Sequence, residues 1–249
     1  MLMEPLLDKL HRLRLPAFRE GLREQAGNPQ YAELSFEERL ALLVDRECMR
    51  RQNRSLQRRL RTADFPVPAV MADVDLSSSR GLDRTLVLEL AQGQWVEAHR
   101  NIFLLGPTGS GKTYLACALG EASCVLGYTV RYRRTSRLLA SLVKARSDGH
   151  YLTVLRDLSR VDVLILDDWM RDAIPVEQAQ ELLEILDDRF NQSSTIVSGQ
   201  VPVEEWYRRI PDPTLAEAIL DRLVHNAYRL ELTGESQRKL RGFRSMVST

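Results

Sequence analysis

Eight consecutive residues, Gly106-Pro107-Thr108-Gly109-Ser110-Gly111-Lys112-Thr113, have the types and spacing to hold a triphosphate. They fit the phosphate-loop pattern G-x-x-x-x-G-K-[ST] without a mismatch. Glycines let backbone N–H groups turn inward with no Cβ in the way, and a helix start adds partial positive charge. In this reading Lys112 reaches the β- and γ-phosphates, the Thr113 hydroxyl holds Mg²⁺, and Tyr114 continues the nucleotide-binding turn. The alternative, a glycine loop that only turns a strand into a helix, needs neither the lysine nor the threonine.

A second set of residues completes the chemistry. Val161-Asp162-Val163-Leu164-Ile165-Leu166-Asp167-Asp168 is a largely apolar strand ending in two acids. An ionised acid at the end of a buried strand costs several kcal/mol unless it is partnered, and a Mg²⁺ ion bridging to phosphate is such a partner. Asp167 is read as the metal-side acid, acting through water, and Asp168 as the group that orients or deprotonates an attacking water. Ser198 closes the strand Ser194-Thr195-Ile196-Val197. It either touches the γ-phosphate or attacking water, with Gln200 as an alternative, or simply caps the strand end. Arg222, in Leu220-Asp221-Arg222-Leu223, is either a guanidinium supplied in trans to a transferring phosphoryl group or half of a helix-surface ion pair with Asp221 or Glu217.

These residues need elements to position them. From about residue 81 the pattern alternates: helix 82–92, strand 102–105, helix 112–126, strand 128–133, helix 135–147, helix 151–159, strand 161–166, helix 176–191, strand 194–198, helices 203–209 and 213–226, and a strand at 228–232. Such alternation predicts an α/β fold, a parallel sheet covered by helices, with ligands at the carboxyl ends of the strands. A predicted strand on each side of the acidic one favours the additional-strand class of P-loop ATPases. No Asn-Lys-x-Asp motif speaks for guanine, so ATP and Mg²⁺ are the expected cofactors. Residues 1–61 read as a small all-α domain. Leu6, Leu7, Leu10 and Leu13, and later Leu40, Leu42 and Leu43, recur at helical spacing; Gly27-Asn28-Pro29 breaks the stretch, and Ser35 with Glu38 forms a capping-box signature. Phe65-Pro66-Val67-Pro68 interrupts helix, so residues 62–80 read as linker and 81–249 as the ATPase domain.

The chain has 249 residues and a net charge of +1, but the charge is uneven. Seven arginines stand between Arg46 and Arg61 against the single acid Glu47. Arg50, Arg54, Arg58 and Arg61 share one helical face and form a row able to track phosphates. A second cluster is Arg131, Arg133, Arg134 and Arg137. The alternative for both is a solvated surface. With no zinc-finger or RNP-like pattern, backbone contact and bending are favoured over base readout. No apolar run approaches ~18 residues, the amino-terminal stretch is charged, and Cys48, Cys117 and Cys124 lack metal-ligand spacing. These features predict reduced thiols and a cytoplasmic location.

The phosphate loop, Leu166-Asp167-Asp168, Val201-Pro202-Val203-Glu204-Glu205-Trp206, the block Asp212–Asn226 and Gly234-Glu235-Ser236 together resemble the IstB-like transposition helper ATPases. These are relatives of the DnaC helicase loader within the AAA+ initiator group. The resemblance covers nearly the whole chain. It implies ATP binding, assembly as a homo-oligomer on double-stranded DNA, bending of that DNA, and recruitment and stimulation of a partner transposase. It also implies a sensor role for Ser198, a finger role for Arg222 toward a neighbouring subunit, and a second sensor at Arg238. One departure stands out: the family usually has Thr-Ser-Gln after the fourth strand, where this chain has Ser198-Gly199-Gln200, and the glycine predicts a more flexible loop. A helicase loader that prefers single strands, and an assembly scaffold gated by nucleotide with negligible turnover, share the same motifs.

Overall fold

Proline and glycine punctuate the amino-terminal helices in the computed structural model, which describes residues 3–234. Helix α1 runs Met3–Arg12, α2 runs Pro16–Gly27 with Pro16 at its first position, and a one-turn 3-10 helix at Pro29–Glu33 follows the predicted break. Helix α3 spans Phe36–Ala63. It opens on the expected capping box: the Ser35 amide donates to Glu38 at 2.7 Å and the Glu38 amide to the Ser35 hydroxyl at 3.2 Å. The chain divides into two units, Met1–Arg58 and Arg59–Thr249. In the first, Leu7, Leu10, Ala17 and Leu43 are buried, whereas Leu6, Leu13, Leu40 and Leu42 face out. A Cβ on Gly21 would lie 2.7 Å from Leu43, so the glycine lets α2 and α3 approach closely.

The second unit continues with α4 (Arg84–Ala91), the single turn α5 (Gln94–Glu97), β1 (Asn101–Leu105), α6 (Lys112–Leu126), β2 (Val130–Arg134), α7 (Thr135–Ser147) and α8 (Tyr151–Ser159). It ends with β3 (Val163–Asp167), α9 (Val176–Arg189), β4 (Ser194–Gly199), α10 (Val203–Arg209), α11 (Pro213–Val224) and β5 (Ala227–Glu231). The sheet is wholly parallel, in the order β2-β3-β4-β1-β5. The acidic strand β3 lies between β2 and β4, and β4 separates it from the phosphate-loop strand β1. That is the additional-strand arrangement. Every residue of β1, β3 and β4 is buried, as both faces of a parallel sheet require. Phe103, Leu105, Leu164, Leu166 and Val197 point to one face and join a core with Trp169, Trp206 and the buried sides of α7 to α11. On α6, Gly120 leaves room for Ile165 and the ring of Phe65, each of which a Cβ there would meet within 3.0 Å.

Local bonds explain the shifts from the predicted boundaries. Strand β2 starts at Val130, not 128; just before it the Thr129 amide and hydroxyl both donate to the Asp162 side chain at 2.7 Å in place of a strand partner's carbonyl. Helix α9 stops at Arg189, where Asn191 turns to φ +55. Residues 62–80, read from the sequence as connecting chain, carry buried Ala63, Ala69 and Arg80, with single 3-10 turns at Met71–Asp73 and Ser78–Arg80. Cys117 and Cys124, seven residues apart on α6, are both buried, and burial pushes their thiols up to about 12 and about 11.

Glu47 of α3 supplies what α2 lacks. No side chain at the start of α2 caps its amides, and the buried Glu47 carboxylate accepts from Ala17 (2.9 Å) and Phe18 (3.3 Å) and from Arg51 (3.0 Å). Burial opposes its charge, but Arg51 and the two amides outweigh that and hold the carboxyl below its ordinary value. Glu47→Ala is expected to cost about 1–3 kcal/mol, the range for bonds to a charged group. Because the folded carboxyl is depressed, this stability is present above the unfolded glutamate value and is lost as pH falls through the folded one. Chemical unfolding of both proteins should show a gap at neutral pH that closes in acid; a gap independent of pH would contradict the assignment.

Candidate functional site

The phosphate loop leaves β1 at Leu105 and enters α6 at Lys112. Its tightest point is Gly106, at φ +140, where a Cβ would fall 2.1 Å from the Leu232 carbonyl oxygen. The Leu232 amide donates to the Leu105 carbonyl at 2.7 Å, so the chain after β5 is fastened to the base of the loop. Lys112 is largely buried, and its ammonium donates to the carbonyls of Gly106 and Pro107, each at 2.8 Å. Thr108 donates to Gln200 at 2.7 Å, tying the loop to the end of β4.

Asp167, at the end of β3, is buried and receives three hydroxyls. Thr113 of α6 donates to Oδ2 at 2.9 Å, Tyr132 of β2 to the same oxygen at 2.6 Å, and Ser198 of β4 to Oδ1. Thr135 donates to its carbonyl at 3.0 Å. Burial, and then the bond to Asp167, push the Tyr132 phenol well above its ordinary value, so it stays a donor. The next residue, Asp168, turns to φ +54 and pairs with Arg134 Nε at 3.0 Å. Trp169 then donates its amide to the Ser198 carbonyl at 2.9 Å.

Around these groups opens a cleft of about 290 Å³. Its lining includes the polar side chains of Thr108, Lys112, Thr113, Asp167, Asp168 and Gln200. Val67, Val74, Leu82 and Leu232 also line it, as do Asp73, Asp75, Arg80 and Tyr114. No group of three or more His, Cys, Asp or Glu able to hold a metal occurs among the described residues. The donor set of Thr113 and Asp167 nonetheless suits Mg²⁺, which takes one or two carboxylates, retains waters and completes its shell with phosphate oxygens.

The structure gathers the phosphate loop, Asp167, Asp168 and Gln200, but distributes the other expected residues differently. Ser198 is fully buried and its hydroxyl is spent on Asp167, so it does not line the cleft. Gly199 is not a loosening element. It is the last, buried residue of β4, and a Cβ there would stand 3.0 Å from the Trp169 carbonyl, so a glycine fits where two backbones meet. Arg222 lies at the opposite, amino ends of the strands. Asn101, the first residue of β1, donates to its carbonyl at 3.3 Å, and its guanidinium pairs with Asp187 at 2.7 Å and Asp221 at 3.3 Å. Arg238 falls outside the described residues.

The two basic clusters also differ. Arg50, in the first unit, is partly exposed, Arg54 and Arg58 of that unit are exposed, and so is Arg61 of the second. In the other cluster only Arg137 is simply exposed. Arg131 donates to the Thr62 carbonyl, Arg133 pairs with Asp64 at 3.0 Å, and Arg134 pairs with Asp168. These three bind their own chain and are not a vacant patch. Tyr132 and Arg80 escaped the sequence reading. An aromatic residue alternating with arginines in Arg131-Tyr132-Arg133-Arg134 was the available sign that Tyr132 faces inward, whereas nothing near Arg80 marked it.

Residues 8–245 match the family described as IstB-like ATP binding protein. The insertion sequence ATP-binding protein y4pL of Sinorhizobium fredii is 46% identical over 239 residues, covering 96% of this chain and 98% of its own. The corresponding protein of insertion sequence IS21 from Pseudomonas aeruginosa is 35% identical, with 95% and 88% covered. Among solved structures, AMPPCP-bound DnaA from Aquifex aeolicus superposes with a TM-score of 0.59 at 16% identity, covering 74% of this chain and 56% of that one. The DnaC helicase loader gives 0.52 at 19% identity, covering 60% and 87%. These likenesses establish the fold, a P-loop AAA+ domain.

Replacing Gly106 by Ala tests the loop geometry. The side chain meets backbone at 2.1 Å in a conformation that L residues avoid, so the Leu105–Leu232 clasp must open. The expected cost is about 2–4 kcal/mol in urea unfolding, with loss of triphosphate binding; a variant as stable as the parent would refute the packing described.

Proposed function

The chain belongs to the IstB-like ATP-binding protein family, and from that premise we propose that it is an ATPase serving DNA transposition. It binds ATP with Mg²⁺, assembles as a homo-oligomer on double-stranded DNA, bends it, and recruits and stimulates a partner transposase. The observation that carries this reading is the complete phosphate loop standing in one cleft beside the buried Asp167. The names of its relatives, proteins of insertion sequences, supply the transposase context. The free thiols of Cys48, Cys117 and Cys124 suit a reduced, cytoplasmic setting.

Each residue has a defined task in this reading. Lys112 exchanges the Gly106 and Pro107 carbonyls for phosphate oxygens, and the loop amides share the same anion. Thr113 and Asp167 would hold Mg²⁺, which would supply neutralisation of phosphate charge. Tyr132 and Ser198 keep the Asp167 carboxylate in one orientation. Asp168 orients the attacking water once its carboxylate leaves Arg134. Arg222, drawn off Asp187, serves the phosphates of a neighbouring copy. Arg50, Arg54, Arg58, Arg61 and Arg137 remain to follow DNA phosphates.

Lys112→Ala is expected to weaken ATP binding at least 100-fold, by loss of a charge-assisted contact in a confined site. It should also abolish assembly on duplex DNA in the presence of ATP. Sedimentation with labelled duplex and single strands measures both points. Assembly of the variant equal to the parent contradicts the mechanism, and a preference for single strands transfers it to a helicase loader. Five arginine–phosphate contacts should give a log–log salt slope of about −4 to −5 per protein chain. A slope near zero would remove these arginines from the interface.

A further inference from the structure

We propose that Asn101 positions Arg222 for its work on a neighbouring copy, by fixing the end of α11 to the strand that carries the phosphate loop. The proposal rests on the trans role read for Arg222 above and names what sets its geometry. Asn101 is the first residue of β1 and is buried. Its Nδ2 donates to the Leu223 carbonyl at 3.0 Å and to the Arg222 carbonyl at 3.3 Å. Its Oδ1 accepts from the Thr195 amide of β4 at 2.9 Å. Its backbone amide donates to the Asn226 carbonyl at 3.2 Å, just past the helix. The partners define which end of the side-chain amide is which, since two carbonyls need a donor and an N–H needs an acceptor. One planar group thus joins α11, β4 and β1.

The last turn of a helix leaves its carbonyls without donors from a following turn. Arg222 and Leu223 stand in that turn of α11. Asn101 supplies the missing donor, so the Arg222 backbone is held against the sheet. The Arg222 side chain is held less firmly. It is 32% exposed, and its partners Asp187 and Asp221 are 49% and 55% exposed. Ion pairs this open to water are worth little. A guanidinium that can leave its acids, on an anchored backbone, is what a group delivered to another copy requires. Misplacing a reacting group by about 1 Å can cost on the order of 100-fold in rate, and the reach of a side chain begins at its Cα. Because β1 also ends at the phosphate loop, Asn101 references the donated group to the strand that holds its own copy's nucleotide site.

Complementation in mixed assemblies of full-length chains, on duplex DNA with ATP and Mg²⁺, decides the matter. A Lys112→Ala chain offers its Arg222 but no nucleotide site. An Arg222→Ala chain offers a nucleotide site but no finger. Mixed, they are expected to release phosphate well above either chain alone. Asn101→Asp keeps the acceptor for Thr195 and turns the donor into a second acceptor facing the two carbonyls. Added to the Lys112→Ala chain, it should lower phosphate release by about 10–100-fold, as expected for a misplaced finger. Added to the Arg222→Ala chain, it should leave both release and ATP affinity unchanged. An equal loss in both placements makes Asn101 a brace of the whole unit and overturns the proposal, as does no loss in either. If the chain carrying Asn101→Asp with Arg222→Ala binds no ATP, Asn101→Ser replaces it. That side chain is neutral and too short to bridge both carbonyls, and the same asymmetry is required of it. Failure of the original pair to complement, with ATP still bound by the Arg222→Ala chain, defeats the trans reading of Arg222 instead, a separate result.

Discussion

The Asp167 carboxylate is a charge buried at the end of a buried strand, and the architecture around it is what makes that tolerable. Isolated there, an ionised carboxylate would cost several kcal/mol. Three hydroxyls, from α6, β2 and β4, meet it instead. Only a sheet that places β3 between β2 and β4, with α6 packed across them, brings Thr113, Tyr132 and Ser198 to one point. The strand order and the chemistry are therefore one constraint. Moving β4 to another place in the sheet would remove the Ser198 hydroxyl from Asp167 and the Gln200 contact from the phosphate loop together.

Arginine is used in this chain for more than meeting external anions. Arg189, fully buried, donates to the carbonyls of Leu158, Val161 and Ser194 and closes the amino end of β4, and burial draws its guanidinium down to about 9 while Asp162 opposes the shift. Arg131 and Arg133 fasten the last turn of α3 and the residue after it to β2. Arg134 occupies Asp168. A planar fork of donors suits carbonyls and carboxylates as well as phosphates. Clustering of arginines in a sequence therefore locates positive charge without telling whether its partner belongs to the same chain.

Much of the fold was legible because its signals are local. The phosphate-loop octapeptide, the apolar run ending in Asp167-Asp168, and the capping box at Ser35 each declare themselves within a few residues, and α6, α7, α8 and α10 occupy the predicted spans. What escaped depends on contacts distant in sequence. Residues 65–82 have no helix or strand period, yet Phe65 covers Gly120 and Arg80 reaches Ser110. Glu47 caps a helix thirty positions earlier in the chain. Ser198 was recognised as a functional hydroxyl, but its acceptor proved to be Asp167, because strand pairing, not sequence order, sets which side chains meet. Gly199 looked like added freedom and is a buried strand residue, tightly placed against the Trp169 carbonyl.

The parallel sheet gives the ATPase unit a direction. Its phosphate loop stands past the carboxyl ends of the strands and Arg222 past the amino ends, separated by the length of a five-residue strand, about 15 Å. Any contact that brings Arg222 of one copy to the loop of the next must join two unlike surfaces. Such a head-to-tail joint cannot be satisfied by a two-fold dimer, because each copy would still hold one unused half of it. Its repetition closes as a ring or advances as a screw, and the rotation between successive copies decides which.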